Sequence, residues 1–307
     1  MRTELARFAV NGPTMGTRFS AVFHASPATD RDAVERALAE AVAQVDRQMS
    51  TWKPESDLMR FNRAPVGSWV ELPEQLLTVM QAGLEIGRAS SGAFDIGVLD
   101  HVRAWGFQSH DGAPAAGEIA RLAARPHVPA HEAVVVDHPA GLAMKRSACA
   151  IDLSGIAKGF GVDRLAETLT GLGIGHFLVS IDGELRAAGG KPDGSPWRVA
   201  VEQPDPAKRD VAGVVELVDG AIATSGNYRH RRALDGRSYS HTIDARTGRP
   251  VTDDIYSATV RAPTCMEADA WATVVMVLGE AQAAPLLAAR GLSAMTLGPE
   301  PAVAGSV

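Results

Sequence analysis

Phe177-Leu178-Val179-Ser180-Ile181-Asp182-Gly183-Glu184-Leu185-Arg186-Ala187-Ala188 reads as two strands, Phe177 to Ile181 and Leu185 to Ala188. It opens a half of the chain in which strands follow one another: Trp197 to Val201, Val214 to Val218, Ala221 to Thr224, Ser238 to Ile243 and Ser257 to Arg261. Helical spacing returns only at Thr264, then from Glu280 to Ala289, before a last strand over Leu292 to Leu297. Strands in runs, rather than in regular alternation with helices, predict an α+β fold of mostly antiparallel sheet with flanking helices.

The first half fits that reading. Residues 17–23 alternate as a strand. Asp30 to Gln48 carries Val34, Leu38, Ala41, Val42 and Val45 at helical spacing, and Pro73 to Ala89 repeats the pattern with Leu76, Leu77, Met80 and Leu84. Gly87 to Gly97 is a small-residue loop around Phe94 and Asp95, and Pro114 to Val128 a loop holding a short helix. Val134 to Val136 and Leu142 to Lys145 read as paired strands, and Ile156 to Leu169 as a helix closed by Gly171 and Gly173. No repeat or flexible linker interrupts residues 1–307, so one unit of two lobes around a cleft is expected.

The 307 residues are 46% hydrophobic and 21% charged with net charge −6, and no basic run argues for nucleic acid or an anionic membrane. Cys149 and Cys265 are the only cysteines, which excludes a thiolate metal framework. His131-Glu132 followed by His138 lacks zinc-helix spacing. No stretch of 18 apolar residues occurs, so no membrane-spanning segment is expected. The opening residues carry Glu4 and no long apolar run. The expectation is a cytoplasmic protein, a truncated periplasmic form being the alternative.

Two segments carry candidate chemistry. In Thr264-Cys265-Met266-Glu267-Ala268-Asp269-Ala270-Trp271-Ala272-Thr273, Thr264 and Glu267 form a capping box that fixes the helix start. Asp269 and Thr273 then share a face four residues apart on an otherwise apolar helix. They are either a solvated stripe or two oxygens for a hard divalent cation. In Asp152-Leu153-Ser154-Gly155-Ile156-Ala157-Lys158-Gly159, an acid ends a strand, small residues turn the chain, and a helix opens with a lysine in its first turn. That arrangement suits a phosphate or pyrophosphate, and it equally serves as a structural turn.

These segments, with Met15-Gly16-Thr17, Met49-Ser50-Thr51-Trp52, Gly92-Ala93-Phe94-Asp95, Asp182-Gly183-Glu184, Thr224-Ser225-Gly226, His241-Thr242-Ile243-Asp244 and Thr247-Gly248, resemble the ApbE-type flavin transferases, FAD:protein FMN transferases, in order along nearly the whole chain. The resemblance implies transfer of FMN from FAD to a Ser or Thr hydroxyl of an acceptor flavoprotein, with release of AMP. It implies Mg2+ held by Asp269, Thr273 and Gly155, the last through its backbone oxygen. It implies flavin-nucleotide contacts from Met15, Trp52, Ala93, Phe94, Asp95, Asp152, Lys158 and Ile243, Trp52 offering a flat face for a ring. His241 is the implied general base. An FAD pyrophosphatase and a non-catalytic FAD-binding protein are the alternatives. Three departures stand out: Ala272 where some relatives carry an acid, Ala245 where proline is usual, expected to loosen that turn, and Asn227-Tyr228 where an acid is frequent.

Overall fold

The computed structural model describes residues 4–298 apart from 109–111, 206–209, 229–230, 235 and 252–254. Two paired strands lead, β1 (Ala6–Thr14) and β2 (Thr17–Ala25). Then come α1 (Arg31–Met49), α2 (Asp57–Arg63), β3 (Trp69–Glu71), α3 (Glu74–Ala89), α4 (Leu99–Ala104), α5 (Ala116–Ala123) and α6 (Ala130–Ala133). Strands β4 (Val134–Asp137) and β5 (Leu142–Lys145) join β3 in a small sheet, and α7 (Ala157–Gly171) follows. The strand run comprises β6 (His176–Ile181), β7 (Glu184–Ala188), β8 (Trp197–Glu202), β9 (Val211–Leu217), β10 (Gly220–Gly226), β11 (Arg231–Leu234), β12 (Arg237–Ser240), β13 (Ile243–Asp244), β14 (Arg249–Pro250) and β15 (Ser257–Ala262). Helices α8 (Cys265–Leu278) and α9 (Glu280–Ala288) and strand β16 (Ser293–Leu297) close the chain.

Seven strands build the main sheet in the order β1-β2-β6-β7-β10-β15-β16, every ladder antiparallel. Its two faces follow from the period-two alternation of strand side chains. Phe19, Ala21 and Phe23 stand opposite Ile181, Val179 and Phe177, and these six are buried with Val34, Leu38 and Val42 of α1 and Val162, Leu165 and Leu169 of α7. One residue out of step, Val22 opposite Leu178 faces the other way, toward Trp197 and Val199 of the β8–β9 hairpin. The helical face continues under α8, whose Trp271, Val274 and Val275 are buried against Ala223 of β10 and Val260 of β15.

The α+β reading is thus matched, with additions. Strand β1 pairs with β2 over its full length although Gly12 and Pro13 mask its alternation; Pro13 sits on the sheet's edge strand, where no ladder donor is needed. Residues 238–243 do not form one strand: the chain breaks at His241 and Thr242 between β12 and β13. Among the described residues no helix is long and apolar enough to cross a membrane.

Candidate active site

Helices α7 and α8 meet at the floor of a cavity, and the contact is reciprocal. Each helix start leaves backbone N–H groups without intrahelical partners. Asp269 of α8 accepts the N–H of Gly159, in the first turn of α7, at 2.9 Å. Asp163 of α7 accepts the N–H groups of Cys265 and Met266, the first two residues of α8, at 2.9 Å each. Only glycine fits at 159, where a Cβ would lie 2.3 Å from the Cys265 carbonyl oxygen and 2.8 Å from the Asp269 Cβ. The expected cap is present too, with Thr264 Oγ1 accepting the Glu267 N–H. Its carboxylate partner, however, takes the Thr264 hydroxyl proton rather than reaching the backbone.

Asp269 is 3% exposed on a helix buried nearly all round, which removes the solvated-stripe reading. Its Oδ2 bond to Gly159 is the carboxylate's sole hydrogen bond among the described residues. Burial pushes its pKa up to about 6, opposed by the Lys158 ammonium and the Gly159 N–H. Thr273 lies one turn further along the cavity wall, its hydroxyl 3.5 Å from Ser225 Oγ. Across from it, a Cβ added at Gly155 would sit 3.3 Å from the Thr273 hydroxyl and 3.2 Å from the Phe94 ring. The bare glycine therefore leaves a small cradle bounded by a carboxylate, a hydroxyl and a backbone turn. Among the described residues no three His, Cys, Asp or Glu side chains are grouped to hold a metal. The donor set that does converge is all oxygen and short of charge, which fits a hard cation that keeps several waters.

Lys158 and the hairpin turn between β6 and β7 form the next wall. Lys158 Nζ donates to Glu184 Oε1 at 2.7 Å and lies 3.6 Å from Asp182 Oδ2. Burial pushes Glu184 above the ordinary carboxylate range, while the Lys158 ammonium pulls it back. Burial alone would lower Lys158, but Glu184, Asp269 and Asp182 outweigh it and hold the ammonium above its ordinary range. At 2.7 Å the two form an ion pair. Asp182 reaches its place at φ 53°, and Met15 at φ 46° opens the β1–β2 turn on the same cavity. Non-glycine residues at positive φ are strained and concentrate at functional sites. Gly161 makes room for Met15, since a Cβ there would lie 3.1 Å from the methionine methyl.

His241 and Ile243 come from the break in the strand run. Asn227, fully buried, accepts the Thr242 hydroxyl at 2.8 Å and donates its own N–H to the Tyr256 carbonyl, so this departure from the expected acid pins the kink. The His241 ring meets Phe107 edge to face with centroids 6.4 Å apart. The turn after Ala245 is well tied. Gly248 N–H donates to the Asp244 carbonyl at 2.8 Å, Trp105 Nε1 donates to the Gly248 carbonyl at 2.9 Å, and Ala245 is buried. Gly248, at φ 66°, lies so close to His101 that a Cβ would be 2.6 Å from its ring. The expected loosening is not seen.

The cavity encloses about 940 Å³, toward the upper end of small-ligand sites. Met15, Ala93, Phe94, Asp95, Asp152, Gly155, Lys158, His241, Ile243, Asp269 and Thr273 all line it. Trp52 does not: it is 54% exposed on the turn after α1, outside the lining. Two carboxylates brace their loops. Asp95 uses both oxygens, accepting from Gly97 N–H, Ala130 N–H and His127 Nε2, whereas Asp152 accepts the N–H and hydroxyl of Ser154 through Oδ1 alone. Sequence reasoning gave Glu184 and Asp163 no role. Each partner is remote in sequence, and only the Asp-Gly turn at 182–183 hinted that β7 begins at the site.

A model of the ApbE family matches residues 15–296. The chain is 36% identical over 272 residues to the FAD:protein FMN transferase of Vibrio cholerae, covering 88% of this chain and 81% of that one. It is 34% identical over 287 residues to the FAD:protein FMN transferase of Escherichia coli K12, covering 92% and 82%. Among solved structures, the apo flavinyl transferase ApbE of Pseudomonas stutzeri superposes with a TM-score of 0.84 at 32% identity, over 98% of this chain and 93% of that one. The flavin transferase ApbE of Vibrio cholerae gives 0.83 at 34% identity, over 95% and 93%.

Proposed function

The chain belongs to the ApbE family, and we propose that it is an FAD:protein FMN transferase whose chemistry takes place in the cavity between α7, α8 and the His241 kink. FMN moves from FAD to an acceptor protein. The observation that carries this reading is the convergence of Gly155, Lys158, His241, Asp269 and Thr273 on one space large enough for a nucleotide. The proposed functional unit is the whole chain, 1–307, in keeping with a family match that runs 15–296 and a lining drawn from Met15 to Thr273.

The residues that would hold a magnesium ion are Asp269, Thr273 and the backbone oxygen of Gly155. When bound, the ion supplies charge neutralisation at the pyrophosphate. Lys158 adds a fixed positive charge from the start of α7, where the positive end of the helix dipole also favours an anion. Met15, Ala93, Phe94, Asp152 and Ile243 are the proposed contacts for the flavin nucleotide. Asp95 joins them through its loop, its carboxylate being engaged elsewhere. Trp52 would take a ring only outside the cavity.

His241 is the proposed base. It removes the proton of an acceptor Ser or Thr hydroxyl as that oxygen bonds to the FMN phosphorus. The bond from that phosphorus to the bridging oxygen breaks, and AMP leaves with the electron pair. A positioned base contributes on the order of 10²–10⁴-fold. The test is incubation with FAD, magnesium and an acceptor flavoprotein, reading flavin fluorescence on the denatured acceptor and free AMP. Labelled acceptor supports the reading; FMN and AMP with no label would make the protein a hydrolase. His241→Ala should bind FAD as before and lose transfer by that factor, and an active variant would remove the histidine from the chemistry.

A further inference from the structure

The Lys158–Glu184 pair is the feature of the cavity that the transfer, as described, leaves unexplained. Glu184 is 2% exposed and lines the cavity from β7, a strand held between β6 and β10. Its Oε1 takes the Lys158 ammonium, and its Oε2 is buried with no hydrogen-bond partner among the described residues. A buried carboxylate with half its acceptor capacity unused is costly, and an apolar contact would hold two elements together at less expense of stability.

A structural tie between α7 and β7 does not account for it, because that tie exists next door. Arg186 of β7 donates to Asp163 of α7 at 2.7 Å, two residues along the strand. The second pair differs in facing the cavity, and it is reinforced by Asp182, placed 3.6 Å from the ammonium by a turn at φ 53°. A lysine in the first turn of a helix opposes the helix dipole. Its flexible four-carbon stem would leave the charge poorly aimed without an anchor.

Resting on the transferase reading, we propose that Glu184 is a positioning residue: from the cavity wall it fixes the Lys158 ammonium where the pyrophosphate of the dinucleotide is bound. Glu184 itself takes no part in bond making. It acts through the lysine, so its effect vanishes when the lysine is gone.

The experiment is a double-mutant cycle of Glu184→Gln and Lys158→Gln on the full chain, with melting temperatures to establish that each variant is folded. Glu184→Gln keeps the shape and an acceptor oxygen but loses the anchoring charge. It should lower kcat by about 10–100-fold, as a misplaced group does, with the KM for FAD little changed. In the Lys158→Gln background it should change kcat by no more than about twofold. Glu184→Asp should recover part of the loss. Equal losses in both backgrounds, an unchanged kcat, or a risen KM with normal kcat would overturn the proposal. If Lys158→Gln fails to fold, the order wild type, Glu184→Asp, Glu184→Gln in kcat decides, and any other order overturns it. Should the unsubstituted protein bind FAD yet give neither labelled acceptor nor AMP, the transferase reading fails. The cycle is then read in FAD dissociation constants, where coupling supports the anchoring role and additivity overturns it.

Discussion

Asp163 and Asp269 perform the same structural task from opposite sides of one helix crossing, and they are finished differently. Each is a buried carboxylate that accepts first-turn N–H groups of the other helix. Asp163 also receives Arg186, so both its oxygens are engaged by charge or dipole. Asp269 receives one N–H and opens on the cavity. Burial raises the pKa of both. The contrast teaches how a fold can open a packing device onto a cavity: it leaves one of two equivalent joints incomplete. On the proposed function, the closed joint serves stability and the open one serves chemistry, a division that substitution can break.

The largest expected effect is on the open joint. Asp269→Asn keeps an acceptor for the Gly159 N–H and loses the charge, so transfer should fall roughly 10²–10³-fold, the range for removing one preorganised electrostatic group. Its magnesium dependence should weaken, and without metal at pH 7 its melting temperature should lie above that of the parent, which carries a buried charge there. Asp163→Asn should do the reverse. It breaks the buried pair with Arg186, costing on the order of 3 kcal/mol of stability, while kcat per folded molecule is retained. A calorimetric and kinetic comparison of the two variants checks both. If Asp163→Asn inactivates the enzyme without destabilising it, the division is wrong.

Next in size is the crossing itself. Gly159→Ala would press a methyl to 2.3 Å from the Cys265 carbonyl, a backbone atom that cannot rotate away. Overpacking of that kind costs about 1–3 kcal/mol or more, and here it moves both joints together. Loss of stability and of magnesium response should therefore appear in the same variant, unlike either aspartate substitution.

A pH profile sharpens the comparison further. A carboxyl whose folded pKa lies above its unfolded value favours the folded state at low pH and loses that contribution as pH rises between the two values. For Asp269 the window runs from an ordinary value near 3.8 to about 6. Without metal, the parent should lose about 3 kcal/mol relative to Asp269→Asn across that window. Urea titrations at pH 4 and pH 7 measure it. Parallel profiles would show that folding does not raise this carboxyl.

Much of this was legible before any coordinates. Thr264 and Glu267 set the helix start, and Asp269 and Thr273 followed at one-turn spacing because a helix fixes which side chains share a face. The strand run from Phe177 likewise announced an antiparallel sheet. Asp163 was not legible: within its own helix it is one polar residue among several, beside Arg164 and one turn from Glu167, and its partners lie 102 and 103 residues away. Glu184 was hidden for the same reason, its lysine lying 26 residues earlier on another element. The break at His241 was missed because the residues around it alternate like a strand, while the bond that kinks them comes from Asn227. Local patterns report periodicity, and the joints between elements are long-range.

The finest test is Gly155→Ala, at the open joint's far side. Gly155 lies outside the left-handed region, so alanine suits its backbone and restricts the unfolded chain, worth about 0.4–1 kcal/mol in favour of folding. Against that, the new methyl would meet the Phe94 ring at 3.2 Å and the Thr273 hydroxyl at 3.3 Å. Both must yield by a few tenths of an ångström, and the two effects on stability should nearly cancel. The hydroxyl's displacement does not cancel, because it falls on a group proposed to hold the ion. Magnesium titration of transfer should therefore shift to higher concentration while the melting temperature barely moves. An unchanged titration would place the ion away from Gly155 and Thr273, leaving Asp269 as an unfinished cap with no ligand beside it.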